Sequence, residues 1–405
     1  MSNRNLSGFP LNLDMENNTN SESDELVYDE TMEHLYNILS QTHFFVANML
    51  MPIVAFFGTF CNILNIIVLT RPKMQTSINY YLTTLAVCDT LYLLFAVSLT
   101  LQHHFEELES NTIYIIYQFL IGIPCTNLFS NIGVWITVAF TIERYIGICH
   151  PMKEKKWCSK GRTKCAIICL ITACVFLAVP NIMEYQVVNE AESGIFIKLS
   201  GIGEHVAYSM GYIWFSQTLF AFIPLLILFV LNTVILIGLR KAEHRRHEML
   251  RPNVSASPRG KMMKGHGEKH KITVMLLVVV IVFMICQVPQ ACVHLYWNLI
   301  TTIGTASQYT SIKVAVFNNI CNLLVMVNAS TNFMLYSLFS ERFRDAVKLT
   351  FVCKGKKQAH SKLNKAMIYK KVNKRSLRKL GSSMDCDRAM LPEAKKREVM
   401  ALHSL

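Results

Sequence analysis
The chain has 405 residues, of which 52% are hydrophobic and 17% charged, with a formal net charge of +13 and a mean hydropathy of +0.31. A soluble domain carries about a quarter charged residues, so this composition excludes an ordinary soluble globular protein. The basic balance is not read as nucleic-acid binding, because the charges are sorted by position along the chain.

Residues 1–43 are polar and acidic and lack the apolar stretch of a cleavable signal peptide, so the first membrane span is expected to act as its own insertion signal. This segment is expected to be extracellular and disordered, with glycosylation at Asn5 (Asn5-Leu6-Ser7) and Asn17 (Asn17-Asn18-Thr19). Apolar runs then recur at about 44–70, 78–102, 112–142, 164–187, 207–239, 271–300 and 312–339. They come near or exceed the roughly 20 residues that cross about 30 Å of hydrocarbon. Backbone amides in lipid must be satisfied within the segment, which calls for helices rather than open sheet. The expected fold is an all-α membrane protein, a bundle of seven spans over 44–339.

Orientation follows the lysine and arginine bias of the short loops. Basic residues follow span one (Arg71, Lys73), span three (Lys153 to Lys164), span five (Arg240 to Lys271) and span seven, whose tail 354–405 is again basic. That side is expected to be cytoplasmic, facing anionic inner-leaflet lipid. The opposite side is acidic, with Glu106, Glu107 and Glu109 in the first outer loop and Glu190, Glu192 and Glu204 in the second. None of the 13 cysteines falls in the N-terminal segment or in an outer loop, and no spacing fits a zinc site. The expected location is the plasma membrane, N-terminus outside and C-terminus inside.

Ionisable groups inside spans are costly and therefore informative. Asp89 lies mid-span in "LAVCDTLY"; Asn62, Asn328 and Asn332 lie at depths where all four are able to form one polar cluster. Pro124, Pro180, Pro224 and Pro289 interrupt spans three to six, each removing a backbone donor. The phrase "TIERYIGICHP" closes span three on a Glu143-Arg144 pair. No phosphate loop, His-Glu-x-x-His or nucleophile elbow occurs, so no enzyme is expected. His103-His104 lacks a third ligand at useful spacing, so no metal centre is expected.

These phrases, in order, resemble a rhodopsin-like (class A) G-protein-coupled receptor over 44–353. "CNILNIIVL", "LAVCD", "ERYIGICHP", "FIPLLILFVLN", "FMICQVP" and "TNFMLY" each stand where that family has a span motif. "SERFRDAVKLTFVC", residues 340–353, looks like its amphipathic eighth helix, ending at Cys353, a palmitoylation candidate. Within the family, "RPKMQTSINYYLTTLAVCDTL", "ERYIGICHP" and "STNFMLYSLFSERFR" look most like invertebrate FMRFamide-type neuropeptide receptors.

The resemblance implies an extracellular peptide ligand, amidated and RFamide-like, a heterotrimeric G protein, and arrestin and receptor kinase as further partners. Glu143, Arg144, Tyr145 and Tyr336 would form the G-protein gate. Asn62, Asp89, Val134, Pro224, Phe283, Gln287, Pro289, Asn328 and Asn332 would form the activation core. Gln118, Thr126, Glu184, Gln287, Gln290, His294 and Tyr296 would line the ligand pocket. The chain departs from the pattern in four places: Gln287 replaces Trp in span six, Phe333 replaces Pro in span seven, Asn232 replaces a span-five Tyr, and Phe119 replaces the Cys that tethers the second outer loop. Thr126 stands where amine receptors carry Asp, and Met326 where opsins carry Lys. A sodium site near Asp89 is implied, but Gly133 stands where a serine often contributes a ligand; no other cofactor is expected. Twenty residues before Pro289, Lys269 replaces the acid that holds the arginine in many relatives, with Glu268 beside it. Two other classes share a seven-span outline: a chemosensory receptor for a small molecule, and a transporter.

Overall fold
The computed structural model describes residues 22–103, 105–109, 111–150, 152–153, 157–190, 194–205, 207–249 and 260–351, with the backbone alone described over 22–29, 242–249 and 260–276. Asn5, Asn17, Cys353 and the basic tail lie outside the described residues, as do the side chains of Glu268 and Lys269. The chain divides into two units, 1–344 and 345–405.

Among the described residues, seven helices are long and apolar enough to cross a membrane. Span one covers Glu30–Leu69, span two Ser77–Thr100, span three Thr112–Cys149, span four Lys160–Ile182, span five Met210–Lys241, span six Leu277–Ile303 and span seven Gln308–Leu338. Three of them start on a side-chain cap: Thr76 accepts from the Asn79 amide (3.3 Å), Asn111 from Tyr114 (3.1 Å) and Ser307 from Thr310 (3.2 Å). Each supplies an acceptor to an otherwise orphaned donor of the first turn. A shorter helix, Glu341–Phe351, follows span seven after Ser340 and places Glu341 in its first turn and Lys348 in its last, as the helix dipole favours.

Prolines shape the spans in two ways. Wider π-type turns at His43–Leu50, Gln118–Gly122 and Thr218–Phe222 end one residue before Met51-Pro52, Ile123-Pro124 and Ile223-Pro224. A proline lacks the N–H for the regular ladder and crowds the carbonyl four residues back; an i→i+5 turn takes up the mismatch. Pro180 and Pro289 instead lie inside regular helix.

The core sits where spans one, two and seven meet, around Ala55, Tyr92, Leu93, Val325, Met326 and Ala329. Gly58 permits that approach: a Cβ there would meet the Ser330 side chain and stand 2.7 Å from Leu93 Cδ1. Large apolar side chains point outward elsewhere, among them Phe56, Phe176, Leu226 and Ile285. This inversion is the one lipid solvent requires, since apolar contact with hydrocarbon costs nothing.

Two elements were not expected. Residues 22–42 form a helix, where the sequence reading placed disorder throughout 1–43. Met32 and Leu39 pack on Ile312 and Ala315 at the start of span seven, and Gln308 donates to the Tyr36 hydroxyl (2.7 Å). The segment thereby extends the bundle. Between spans four and five, β1 (Tyr185–Glu190) and β2 (Gly194–Leu199) pair antiparallel, Tyr185 opposite Leu199 and Val187 opposite Ile197. This β-hairpin marks one end of the bundle.

Candidate ligand cavity and gate
A cavity of about 230 Å³ opens at the hairpin end among spans three, five and six. Span three contributes Asn127, Ser130, Asn131 and Val134, and span six contributes Phe283, Gln287, Gln290 and His294. Gln287, Gln290 and His294 share a face because they stand three and four residues apart on one helix. Gln290 is fixed by donating to Asn322 of span seven (2.8 Å). The remaining wall is polar and aromatic, with Asn181 and Glu184 from the end of span four and its loop, and Tyr208, Tyr212, Ser216 and Gln217 from the span-five side.

Glu184 is the one carboxylate among the described lining residues, and no lysine or arginine is among them. It is half-buried, and the Tyr208 hydroxyl donates to its Oε2 at 3.0 Å. Burial pushes its carboxyl above the usual range, while the Tyr208 and Tyr185 hydroxyls pull it back. The Tyr185 hydroxyl is itself pushed up to about 12, by burial and by the Glu184 charge.

Below this cavity lies a second, of about 30 Å³, beside Asp89. The two share Ser130, Val134, Phe283 and Gln287, which therefore form the partition between them. Asp89 accepts from the Asn332 amide at 2.7 Å, and Asn328 lines the same space. Asn62 does not join them: its amide donates to the Ala329 carbonyl (2.8 Å), tying span one to span seven. Gly133 brings no hydroxyl to this space, which Ser130, Thr137, Asn328 and Asn332 line beside Asp89.

At the opposite end, Arg144 Nη2 stands 3.7 Å from Glu143 Oε1. Glu143 is 6% exposed, and Thr163 at the start of span four donates to its Oε2 at 3.4 Å. Tyr145 meets the His150 ring edge-to-face, with its hydroxyl 3.3 Å from Nε2. Tyr336 is 2% exposed, and its buried hydroxyl has no hydrogen-bond partner among the described residues. Its ring lies 5.9 Å from that of Phe343, and Phe333 meets the same ring at 5.7 Å. The phenylalanine that replaces a proline in span seven thus packs on the start of the following helix.

A profile of the 7 transmembrane receptor (rhodopsin family) matches residues 61–336, a stretch that runs from just before Asn62 to Tyr336. The chain belongs to that family. Over 339 residues this receptor is 30% identical to the FMRFamide receptor of Drosophila melanogaster, covering 79% of this chain and 56% of that relative. It therefore spans little more than half the length of that protein. It is also 26% identical to the sex peptide receptor of the same fly, across 75% of this chain and 71% of the relative. The FMRFamide peptide receptor frpr-18 of Caenorhabditis elegans is 25% identical, across 75% and 68%. As a member of this family the receptor is a signalling protein and not an enzyme.

Of the pocket residues expected from sequence, Glu184, Gln287, Gln290 and His294 line the receptor's larger cavity. Three do not. Gln118 is engaged with Gln102 (2.7 Å), the Thr126 hydroxyl turns back to the Gly122 carbonyl (2.7 Å), and Tyr296 is 50% exposed on the far side of span six. Val134 and Phe283 stand in the partition, with Pro224 directly before the lining residue Leu225. Sequence reasoning missed Tyr208, Tyr212 and Thr163. Tyr208 stands at the very start of the expected run 207–239, where nothing local marks it as a partner of Glu184, and nothing local marks Thr163 in "KGRTKC".

Proposed function
We propose that this receptor responds to an extracellular neuropeptide, amidated and RFamide-like, and activates a heterotrimeric G protein at the plasma membrane. The observation that carries the reading is the cavity at the hairpin end, walled by aromatic and amide side chains around a single described carboxylate. Its volume, about 230 Å³, falls below the roughly 300–1,000 Å³ of pockets that enclose a whole ligand, and suits the end of a peptide rather than its whole length. The names of the FMRFamide and sex peptide receptors among its relatives support a peptide ligand.

In this reading the hairpin end faces outward and the Arg144 end faces the cytoplasm. Peptide binding favours a state in which span six swings out at the cytoplasmic end, hinged near Pro289. The ligand does this only through its higher affinity for that state. Movement at Gln287 and Phe283 passes through the partition to the Asp89–Asn332 contact. Arg144, released from Glu143, then forms with Tyr336 the cleft that takes the G protein. Arrestin and receptor kinase would act on the same side.

The test is a signalling assay on cells expressing the full-length chain, challenged with a library of amidated neuropeptides. Peptides ending in Arg-Phe-amide are expected to elicit a response. Silence to every peptide with a basic residue in its C-terminal pair, with a response to another chemical class, overturns the ligand assignment.

A further inference from the structure
We propose that Glu184, framed by Tyr208 and Tyr212, is a guanidinium subsite in the cavity wall. The proposal rests on the peptide reading for its biological ligand, but its chemistry stands on the cavity alone. A half-buried carboxylate without a cation is costly. Among the described residues Glu184 has hydroxyl donors and no ion pair, and the lining brings no lysine or arginine to it. The site is therefore complete in hydrogen bonding on one side and incomplete in charge. A cation arriving with the ligand supplies what is missing.

The surroundings select guanidinium over a compact ammonium. The Tyr208 and Tyr212 rings stack at 5.2 Å and 20°, and both line the cavity beside the carboxylate. A planar guanidinium stacks on an aromatic face while its N–H fork meets carboxylate oxygens. An ammonium makes only the second contact well.

The site is also held in place before any ligand comes. Tyr212 donates to the Leu177 carbonyl of span four (2.6 Å). The Ser200 amide donates to the Glu184 carbonyl (2.8 Å), and its hydroxyl to Met183 (2.5 Å). Gly203 passes so close that a Cβ there would stand 2.5 Å from the Glu184 carbonyl oxygen. The Tyr185 ring, next in chain, rests on Phe119 at 4.8 Å. Fixing a charged group in its bound position lowers the entropy lost on binding.

The experiment uses the detergent-solubilised full-length receptor with two small probes at millimolar concentration, Nα-acetylarginine amide and its neutral isostere Nα-acetylcitrulline amide (hereafter arginine amide and citrulline amide). Arginine amide is expected to raise the thermal midpoint of the wild type above that with citrulline amide. The difference is expected to vanish in Glu184→Gln, with Glu184→Asp, which keeps the charge, retaining part of it. Equal shifts by both probes in the wild type, or a difference that persists in Glu184→Gln, overturns the subsite. In cells, an activating Arg-Phe-amide peptide is expected to lose about tenfold or more in potency on Glu184→Gln. Its citrulline analogue is expected to be weak on wild type and no weaker on the variant. If no peptide activates while the probe difference holds, the peptide reading falls and the guanidinium subsite stands.

Discussion

Among its contacts in this structure, Glu143 meets Arg144 at 3.7 Å and the Thr163 hydroxyl at 3.4 Å. The first is visible in sequence because the partners are adjacent; the second is not, because twenty residues and a loop separate them. If the carboxylate restrains Arg144 in the resting state, removing its charge shifts the state ratio toward signalling. A bias of about 1 kcal/mol corresponds to about a fivefold change in that ratio. Glu143→Gln is expected to raise basal signalling by this order at matched surface expression, and Thr163→Val to raise it less. An unchanged basal level in both variants would mean that the gate is held elsewhere. The cavity residues divide in the same way. Gln287, Gln290 and His294 were legible because helical spacing alone sets their common face. Tyr296, two residues beyond His294, turns about 200° away on a helix of 3.6 residues per turn. The Thr126 hydroxyl turns to the Gly122 carbonyl, as a threonine in an apolar helix does when nothing else is offered.

At the scale of elements, the seven spans were legible and their fine structure was not. Their existence follows from run length, but the π-type turns before Pro52, Pro124 and Pro224 depend on how each helix continues past the proline. The hairpin β1–β2 was missed because its strands, "YQVVNE" and "GIFIKL", are short and lie between far longer apolar runs. It takes the place of a disulfide-tethered loop: among the described residues no disulfide forms, and the contact of Phe119 with Tyr185 joins the top of span three to the hairpin. An aromatic pair of this kind contributes about 0.5–1.5 kcal/mol beyond its area. Phe119→Ala is therefore expected to increase hydrogen exchange at the hairpin amides while leaving the gate end unchanged. Unaltered hairpin exchange would show that the Ser200 and Gly203 contacts hold the loop without the ring pair.

For the molecule as a whole, packing at Gly58 decides how closely spans one, two and seven approach. Adding an isopropyl group there overfills the junction, at a cost of about 1–3 kcal/mol. Gly58→Val is expected to lower the thermal midpoint and the surface level of the receptor; an unchanged midpoint would mean that Ser330 and Leu93 move aside freely. Composition, run length and charge placement determined by themselves that this chain is a seven-helix membrane protein, because lipid leaves a long apolar segment few other conformations. The ordered motifs from Asn62 to Tyr336 pointed to its family. What only the tertiary structure decided is which polar groups meet. Asn332 reaches Asp89 across 243 residues of chain, Asn62 takes a backbone carbonyl instead, and Glu184 finds Tyr208 from the other side of a hairpin. Hydropathy records how deep a residue lies, whereas partner choice depends on helix rotation and tilt, which are set by side-chain packing between spans.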